Sequence, residues 1–249
     1  MTAAPELSVV LPVFDEEESL PVLWPELREV LDGTGLRYEV IFVDDGSHDG
    51  SAEIVRAFRD EDPRVRLVRL KANAGETAAT DAGFKAARGR YVVTMDADLQ
   101  NDPRDIPTLL SHLHRWDAVT GWRVDRAAGD GLVCRVSSRI ANSVRNALSG
   151  EAIRDSGCTF RAFRRECLQG LVLYRGLHRF IPTLLGMRGF RVLEVPVRHR
   201  PRRFGKSKYG ILNRALRALW DLMVVRWMKR RLLRYEVAED LGRDVGPGR

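Results

Sequence analysis

Cysteine is scarce in this chain: Cys134, Cys158 and Cys167 are the only three in 249 residues. They show no CxxC spacing, which argues against a disulfide framework or a thiolate zinc site. An odd count without a secretory signal fits free, buried thiols in a reducing cytoplasm. The N-terminus reads as too polar for such a signal, because Asp15-Glu16-Glu17-Glu18 closes its only apolar run. No apolar stretch reaches 18 residues, so no transmembrane helix is predicted. GxGxxG and GxxxxGK[ST] are also missing, which removes support for an ordinary dinucleotide or P-loop cradle. A diphosphate would have to be held by metal and by Lys or Arg. Acidic residues are outnumbered 34 to 41 by basic ones, a net charge of +7. That balance suggests an anionic partner: nucleotide phosphates, nucleic acid or an acidic membrane surface.

Present instead is a β–α alternation through the first half, with an ordinary hydrophobic content of 44%. Strands are predicted at 8–14, 40–43, 65–70, 91–95 and 118–120. Helices are predicted over 17–31, from a cap at Ser47 or Asp49 to Phe58, over 76–88, and from Asp102-Pro103 onward. The alternation then weakens. Residues 129–150 read as a helix, 158–163 as a strand carrying Arg161, and 191–197 as a late strand before a basic loop, 199–209. There is no internal repeat. This pattern predicts one parallel-sheet domain over 1–210, a helix over 211–235 and a loose polar tail over 236–249.

Two strands end in acids. Val40–Val43 runs into Asp44-Asp45-Gly46-Ser47, and Tyr91–Met95 into Asp96-Ala97-Asp98-Leu99-Gln100. Carboxylates two residues apart at the mouth of a parallel sheet can hold Mg²⁺ or Mn²⁺, which favour oxygen ligands and leave room for substrate phosphates. The alternative is a pair of solvated acids capping strand ends. The carboxyl edge of such a sheet is where open α/β folds bind ligands.

Ser8–Glu16, Asp44-Asp45-Gly46-Ser47, Asn73-Ala74-Gly75 and Asp96–Gln100 resemble, in order and spacing, the family 2 glycosyltransferases. Gln100, with Arg202-Arg203-Phe204-Gly205-Lys206-Ser207-Lys208-Tyr209 downstream, is similar to the dolichol-phosphate mannose synthase branch, which includes bacterial polyprenyl-phosphate sugar transferases. The resemblance covers roughly residues 6–234 and implies an α/β, A-type glycosyltransferase fold with a Rossmann-like, mostly parallel sheet. It implies a donor site lined by Pro12, Phe14, Glu16, Asp44, Asp96, Ala97, Asp98 and Gln100. Asp98, Gln100 and Asp96 would hold the metal, Asp96 would lie near the ribose and sugar, and Asp44 would meet the base. Asp45 would orient its loop. The family's usual Tyr-Asn-Glu is Phe14-Asp15-Glu16 here, so no role passes to Asp15. Glu16 reads equally as an acid in a helix's first turn.

Any one of Arg123, Arg126, Arg135 and Arg139 could be a solvated helix or loop arginine, the reading that Arg126 favours, but Arg123 and Arg135 occupy positions where the family places acceptor-phosphate arginines. Arginine suits phosphate because its planar fork offers parallel hydrogen bonds. Arg202, Ser207 and Lys208 fit the branch's loop for acceptor or diphosphate binding, with a soluble basic loop as the alternative, and Gly205 would permit a moving backbone. Asp155, in the segment Asp155–Arg161, reads as orienting an arginine or the sugar, with a proton-accepting role as the alternative. The catalytic set is thus Arg123, Arg135, Arg202 and Asp155.

Residues 211–234 combine Leu212, Leu216, Leu219, Trp220, Met223 and Trp227 with Arg214, Arg217, Arg226, Lys229, Arg230, Arg231 and Arg234, against only Asp221. The composition suits a helix lying in lipid headgroups. The alternatives are a helix docked on the domain, a homo-oligomer contact or a membrane-protein partner. The expected activity is metal-dependent, inverting hexose transfer from a UDP- or GDP-sugar to a polyprenyl phosphate, on the cytoplasmic side of a membrane. Two rivals remain: a hydroxyl-acceptor glycosyltransferase and a non-catalytic module binding membrane or nucleic acid. Paired acids repel phosphates unless a metal intervenes, so nucleic acid is not expected.

Overall fold

The computed structural model describes residues 4–124, 153–155, 157–204, 211–233 and 235. The predicted 129–150 helix, Cys134, Arg126, Arg135, Arg139, Gly205, Ser207, Lys208 and the 236–249 tail lie outside the described residues.

Seven strands form one sheet: β1 (Leu7–Val13), β2 (Tyr38–Asp44), β3 (Val65–Arg69), β4 (Tyr91–Thr94), β5 (Ala118–Arg123), β6 (Arg161–Arg164) and β7 (Val192–Val197). Their order is β3-β2-β1-β4-β6-β5-β7. β6 runs antiparallel to both β4 and β5, and the other pairs are parallel. The helices are α1 (Leu20–Gly33), α2 (Ser51–Glu61), α3 (Glu76–Ala86), α4 (Ile106–Ser111), α5 (Arg165–Leu168), α6 (Ile181–Met187) and α7 (Ile211–Arg231).

Period-2 patterning divides the core into two layers. Leu7, Val9, Leu11 and Val13 face one side with Val40, Phe42 and Val93, under Leu20, Leu23, Leu27 and Leu31 of α1. Val10, Ile41, Val43 and Val92 face the other, under Ala79 and Phe84 of α3 and Ile181 and Leu185 of α6. Burying each such side chain contributes about 1.5–3 kcal/mol. Because these strands are covered on both faces, they read as continuous apolar runs in the sequence.

The chain leaves β1 toward β2 and β3, then returns to place β4 on β1's other flank. This reversal opens a crevice at the carboxyl ends of β1 and β4, beside the two acidic motifs. Cys158 and Cys167 are free and buried, as their apolar surroundings require.

From Trp220 onward the C-terminal helix presents two different faces. Leu222 and Val225 are buried against Leu177, Phe180 and Leu184. Trp220, Met223 and Trp227, spaced as one helical face, stand exposed at 72%, 49% and 62%. Among the described residues, no helix is long and apolar enough to cross a membrane.

Candidate active site

At the end of β2, Asp44 is buried and accepts from the Ser47 backbone N–H at 2.9 Å. Its other oxygen lies 2.9 Å from Arg69 Nε at the end of β3. Asp44 and Arg69 are register partners in the parallel pair, which is why they meet. Asp45 turns the other way and accepts from the N–H groups of Ala74 and Gly75 at 2.7 and 2.9 Å, tying its loop to the start of α3. Gly46 has φ +73°, and a Cβ there would come within 2.7 Å of the Asn73 nitrogen, so only glycine fits. Gly46, Ser47, His48, Arg69, Lys71 and Asn73 border an open cavity of about 590 Å³.

The β1–α1 connection closes one side. Pro12 lies at the end of β1, and Phe14 meets His48 edge to face at 5.8 Å. Glu16 accepts from the Ser19 hydroxyl at 2.9 Å, so its carboxylate reaches the start of α1. Glu16 nevertheless precedes α1, whose first turn carries no acid, so the first-turn reading of Glu16 does not hold. Asp15 (φ +52°) accepts from the His48 N–H at 2.8 Å and thereby fastens the two loops.

The motif after β4 is tightly turned. Leu99, a buried non-glycine residue, has φ +65°. Such strained backbone persists only where surrounding contacts enforce it. Here Asn101 Oδ1 accepts from the Asp96 N–H at 2.9 Å, and Asp98 Oδ1 accepts from the Gln100 N–H at 3.1 Å. Ala97 is buried between the two acids. Arg202 Nη2 donates to Asp98 Oδ2 at 2.6 Å and lies 3.4 Å from Gln100 Oε1. The sequence placed Arg202 on the acceptor side, whereas the structure sets its guanidinium on the expected metal ligands. Gln100 Nε2 is also 3.4 Å from His199 Nε2, a residue the sequence reading did not single out.

Asp96 accepts from the Thr159 hydroxyl at 2.6 Å. Burial, then the negative charges of Glu76 and Asp98, push its carboxyl up to about 7. A cation at this edge would reverse that shift. Behind Asp96 lies a small enclosed pocket with room for about one water, lined in part by Pro12, Glu76, Thr159, Arg161 and His178. His178 pairs with Glu76 at 3.4 Å, and the fully buried Arg161 donates to the His178 carbonyl at 2.6 Å. Sequence reasoning missed Glu76 and His178, which lie about a hundred residues apart and carry no motif.

On the far side, Arg123 at the end of β5 grips Asp155 with two hydrogen bonds, Nε to Oδ2 at 2.7 Å and Nη2 to Oδ1 at 2.9 Å. Burial works against the Arg123 charge, but Asp155 more than offsets it and raises the guanidinium's pKa. Both oxygens of Asp155 thus accept from the Arg123 guanidinium.

A sheet reversed at β1 and acid-tipped at β2 and β4 is the architecture of an A-type glycosyltransferase. The family model described as glycosyl transferase family 2 matches residues 8–171, and the chain belongs to that family. It is therefore a glycosyltransferase. Over 231 residues it is 39% identical to the dodecaprenyl-phosphate galacturonate synthase of Rhizobium johnstonii, covering 90% of this chain and 68% of that protein. Over 219 residues it is 37% identical to the undecaprenyl-phosphate 4-deoxy-4-formamido-L-arabinose transferase of Aeromonas hydrophila, covering 87% and 66%. The chain thus spans about two thirds of the length of these curated relatives. Two solved structures share the fold. One is the glucosyl-3-phosphoglycerate synthase of Mycobacterium tuberculosis, in complex with Mn²⁺, UDP and phosphoglyceric acid: TM-score 0.68, 20% identity, covering 92% of this chain and 80% of that one. The other is a mannosyltransferase of Pyrobaculum calidifontis in complex with GDP-Man and Mn²⁺: TM-score 0.63, 22% identity, covering 92% and 65%.

Proposed function

We propose that this chain transfers a hexose from a UDP- or GDP-sugar to a polyprenyl phosphate, with inversion at the anomeric carbon. The observation that carries this reading is the meeting of opposite charges at one sheet edge. Arg202 pairs with Asp98, and the positive charge of Arg123 acts on the buried Asp96 two residues before it. The relatives named for dodecaprenyl and undecaprenyl phosphate support the acceptor class.

A divalent cation fits the end of β4. Asp96, Asp98 and Gln100 offer hard oxygen donors, and a positive group, the Arg202 guanidinium, already lies against two of them. Such ions commonly take their remaining ligands from water and substrate phosphates. Asp98, Gln100 and Asp96 would hold Mg²⁺ or Mn²⁺, which would neutralise charge on the leaving diphosphate.

The protein's own groups do the rest. Asp44 accepts and Arg69 donates beside the open cavity, and both uracil and guanine present an N–H next to a carbonyl there. Arg123 commits two of its five donors to Asp155 and keeps its Nη1 edge for the acceptor phosphate. That phosphate oxygen is already an anion near neutral pH and needs no strong base. Bringing two anions together is the main difficulty, and positioned arginines remove it. In this reading Arg135, Ser207 and Lys208 complete the acceptor set on sequence grounds alone. Incubating the protein with a short polyprenyl phosphate and a panel of UDP- and GDP-sugars tests the reaction. Mass spectrometry should find a lipid phosphate bearing one hexose, and its absence for every donor would reject the reading.

The acceptor lies at a membrane surface, and the C-terminal helix suits the cytoplasmic face of one. Trp220, Met223 and Trp227 project from it beside Arg226, Lys229, Arg230 and Arg231. Anionic lipid attracts each basic residue near the surface by about 1 kcal/mol, and salt screens that attraction. Full-length protein should float with anionic vesicles at low salt, and Trp220→Ser/Trp227→Ser should float less. Equal flotation with neutral vesicles, or none with either, would remove this role.

A further inference from the structure

The segment after β7 carries arginine at every second position: Arg198, Arg200 and Arg202. In an extended chain such residues share one face. Together they meet three acids of the loop that follows β4, with Arg198 also reaching Asp102 at 3.6 Å. Arg198 Nε lies 3.0 Å from Asp105 Oδ1, and its backbone N–H donates to Oδ2 of the same carboxylate at 2.7 Å. Arg200 Nη2 lies 2.9 Å from Asp102 Oδ1, while its Nη1 donates to Glu26 of α1 at 2.6 Å. Arg202 reaches Asp98 at 2.6 Å. Backbone contacts run between the rungs: the Arg200 N–H donates to the Gln100 carbonyl at 2.8 Å, and Asn101 and His199 form an antiparallel bridge. Pro201 has no N–H and interrupts further pairing of the strand.

The rungs differ in kind. Asp105 and Asp102 lie outside the proposed metal set and are buried at 7% and 5% exposure, so their partners hold a fixed place. Burial works against the Asp102 charge, but the Arg104 N–H and Arg200 hold its carboxyl below the usual range. The third rung is on Asp98 itself. An Nη2 2.6 Å from Asp98 Oδ2 and 3.4 Å from Gln100 Oε1 stands where a cation shared by those oxygens would bind. Both cannot be there together.

We propose that Arg198 and Arg200 are positioning residues that fix the 198–204 segment on the metal-motif loop, so that Arg202 rests on Asp98 as a tethered cation which the divalent ion displaces. This rests on the metal reading above. Its consequence is economical: the ion that organises the donor also releases a guanidinium, within one side chain's reach, for the phosphates that arrive with it. Arg198 and Arg200 keep that guanidinium near the site throughout.

Two measurements on the full chain test it. In metal-free protein, hydrogen exchange at residues 198–202 should be slow in wild type and in Arg202→Ala. It should be at least tenfold faster in Arg200→Ala, with partial rescue in Arg200→Lys. Arg198→Ala, on a half-exposed arginine, serves if Arg200→Ala fails to fold. Binding of Mn²⁺ alone, followed by the paramagnetic resonance of the free ion, should be about threefold to tenfold tighter in Arg202→Ala, and tighter also in Arg200→Ala. A merely structural lesion would weaken it. Unchanged exchange in the Arg200 variants overturns the anchoring. Mn²⁺ binding equal to or weaker than wild type in Arg202→Ala overturns the displacement alone. If no form binds Mn²⁺, the displacement and the metal reading fall together, while the exchange still decides the anchoring.

Discussion

Asp98→Ala is expected to lower turnover by roughly 10²–10³ while leaving the melting temperature nearly unchanged. The two halves follow from the same contacts. Asp98 anchors the turn through the Gln100 N–H, and under the proposed reading it helps hold the metal, so its loss would remove charge compensation where the diphosphate leaves. Its contribution to stability is small because two terms oppose. The ion pair with Arg202 is lost, but that arginine is 38% exposed, and such pairs contribute about 0–1 kcal/mol. The like charge that raises the Asp96 carboxyl is removed as well. Steady-state rates across a Mn²⁺ titration, beside a calorimetric melt, measure both. Turnover above a tenth of wild type would remove Asp98 from the chemistry.

Arg123→Ala should be costly to the fold as well as to the reaction. Arg123 and Asp155 form a bidentate pair whose side chains are only 15% and 12% exposed. Deleting one member leaves the other's charge buried, which costs several kcal/mol in a fully buried pair. The residual exposure sets the expectation at about 2–3 kcal/mol, a drop of roughly 5–10 °C for a chain of this size. The double variant Arg123→Ala/Asp155→Ala should melt above the single one, because the stranded carboxylate is gone. Under the proposed reading turnover should stay low in both, because the acceptor phosphate would lose its Nη1 donors. A single variant that melts like wild type, or a double variant that melts lower still, would show that the pair does not carry this load.

Local signals and remote ones divided the sequence reading. Strand β1 was expected at 8–14 and spans Leu7–Val13, and β2 and β4 were likewise visible, because burial on both faces writes an unbroken apolar run. The strand carrying Arg161 was expected at 158–163 but spans Arg161–Arg164. Its limits come from antiparallel partners, Tyr91 opposite Arg164 and Thr94 opposite Arg161, which no local pattern encodes. The helix Ile181–Met187 went unpredicted: seven residues with Pro182 in the first turn are too short for a clear helical period. Within the site, the strand-end acids were legible because they follow apolar runs. Arg69 was legible in principle, once β2 and β3 were aligned in parallel register. The alternation of Arg198, Arg200 and Arg202 was plain, but their acids lie some ninety to a hundred residues earlier, and nothing in the alternation says which loop it meets. In the C-terminal helix, Leu222 and Val225 could be told from Trp220 and Trp227 only by the surface they pack on.

The most direct measurement compares a lipid phosphate with hydroxyl acceptors, one of which differs from it only by the phosphate. Purified protein with Mn²⁺ and each donor sugar is offered a short polyprenyl phosphate, the matching polyprenol and a soluble glycan, and products are read by mass spectrometry. The account predicts one hexose on the polyprenyl phosphate with at least one donor, loss of that product with EDTA, and no product on the polyprenol. A sugar carried by the polyprenol or the glycan, with the lipid phosphate left unmodified, would contradict it and make the enzyme a hydroxyl-directed glycosyltransferase.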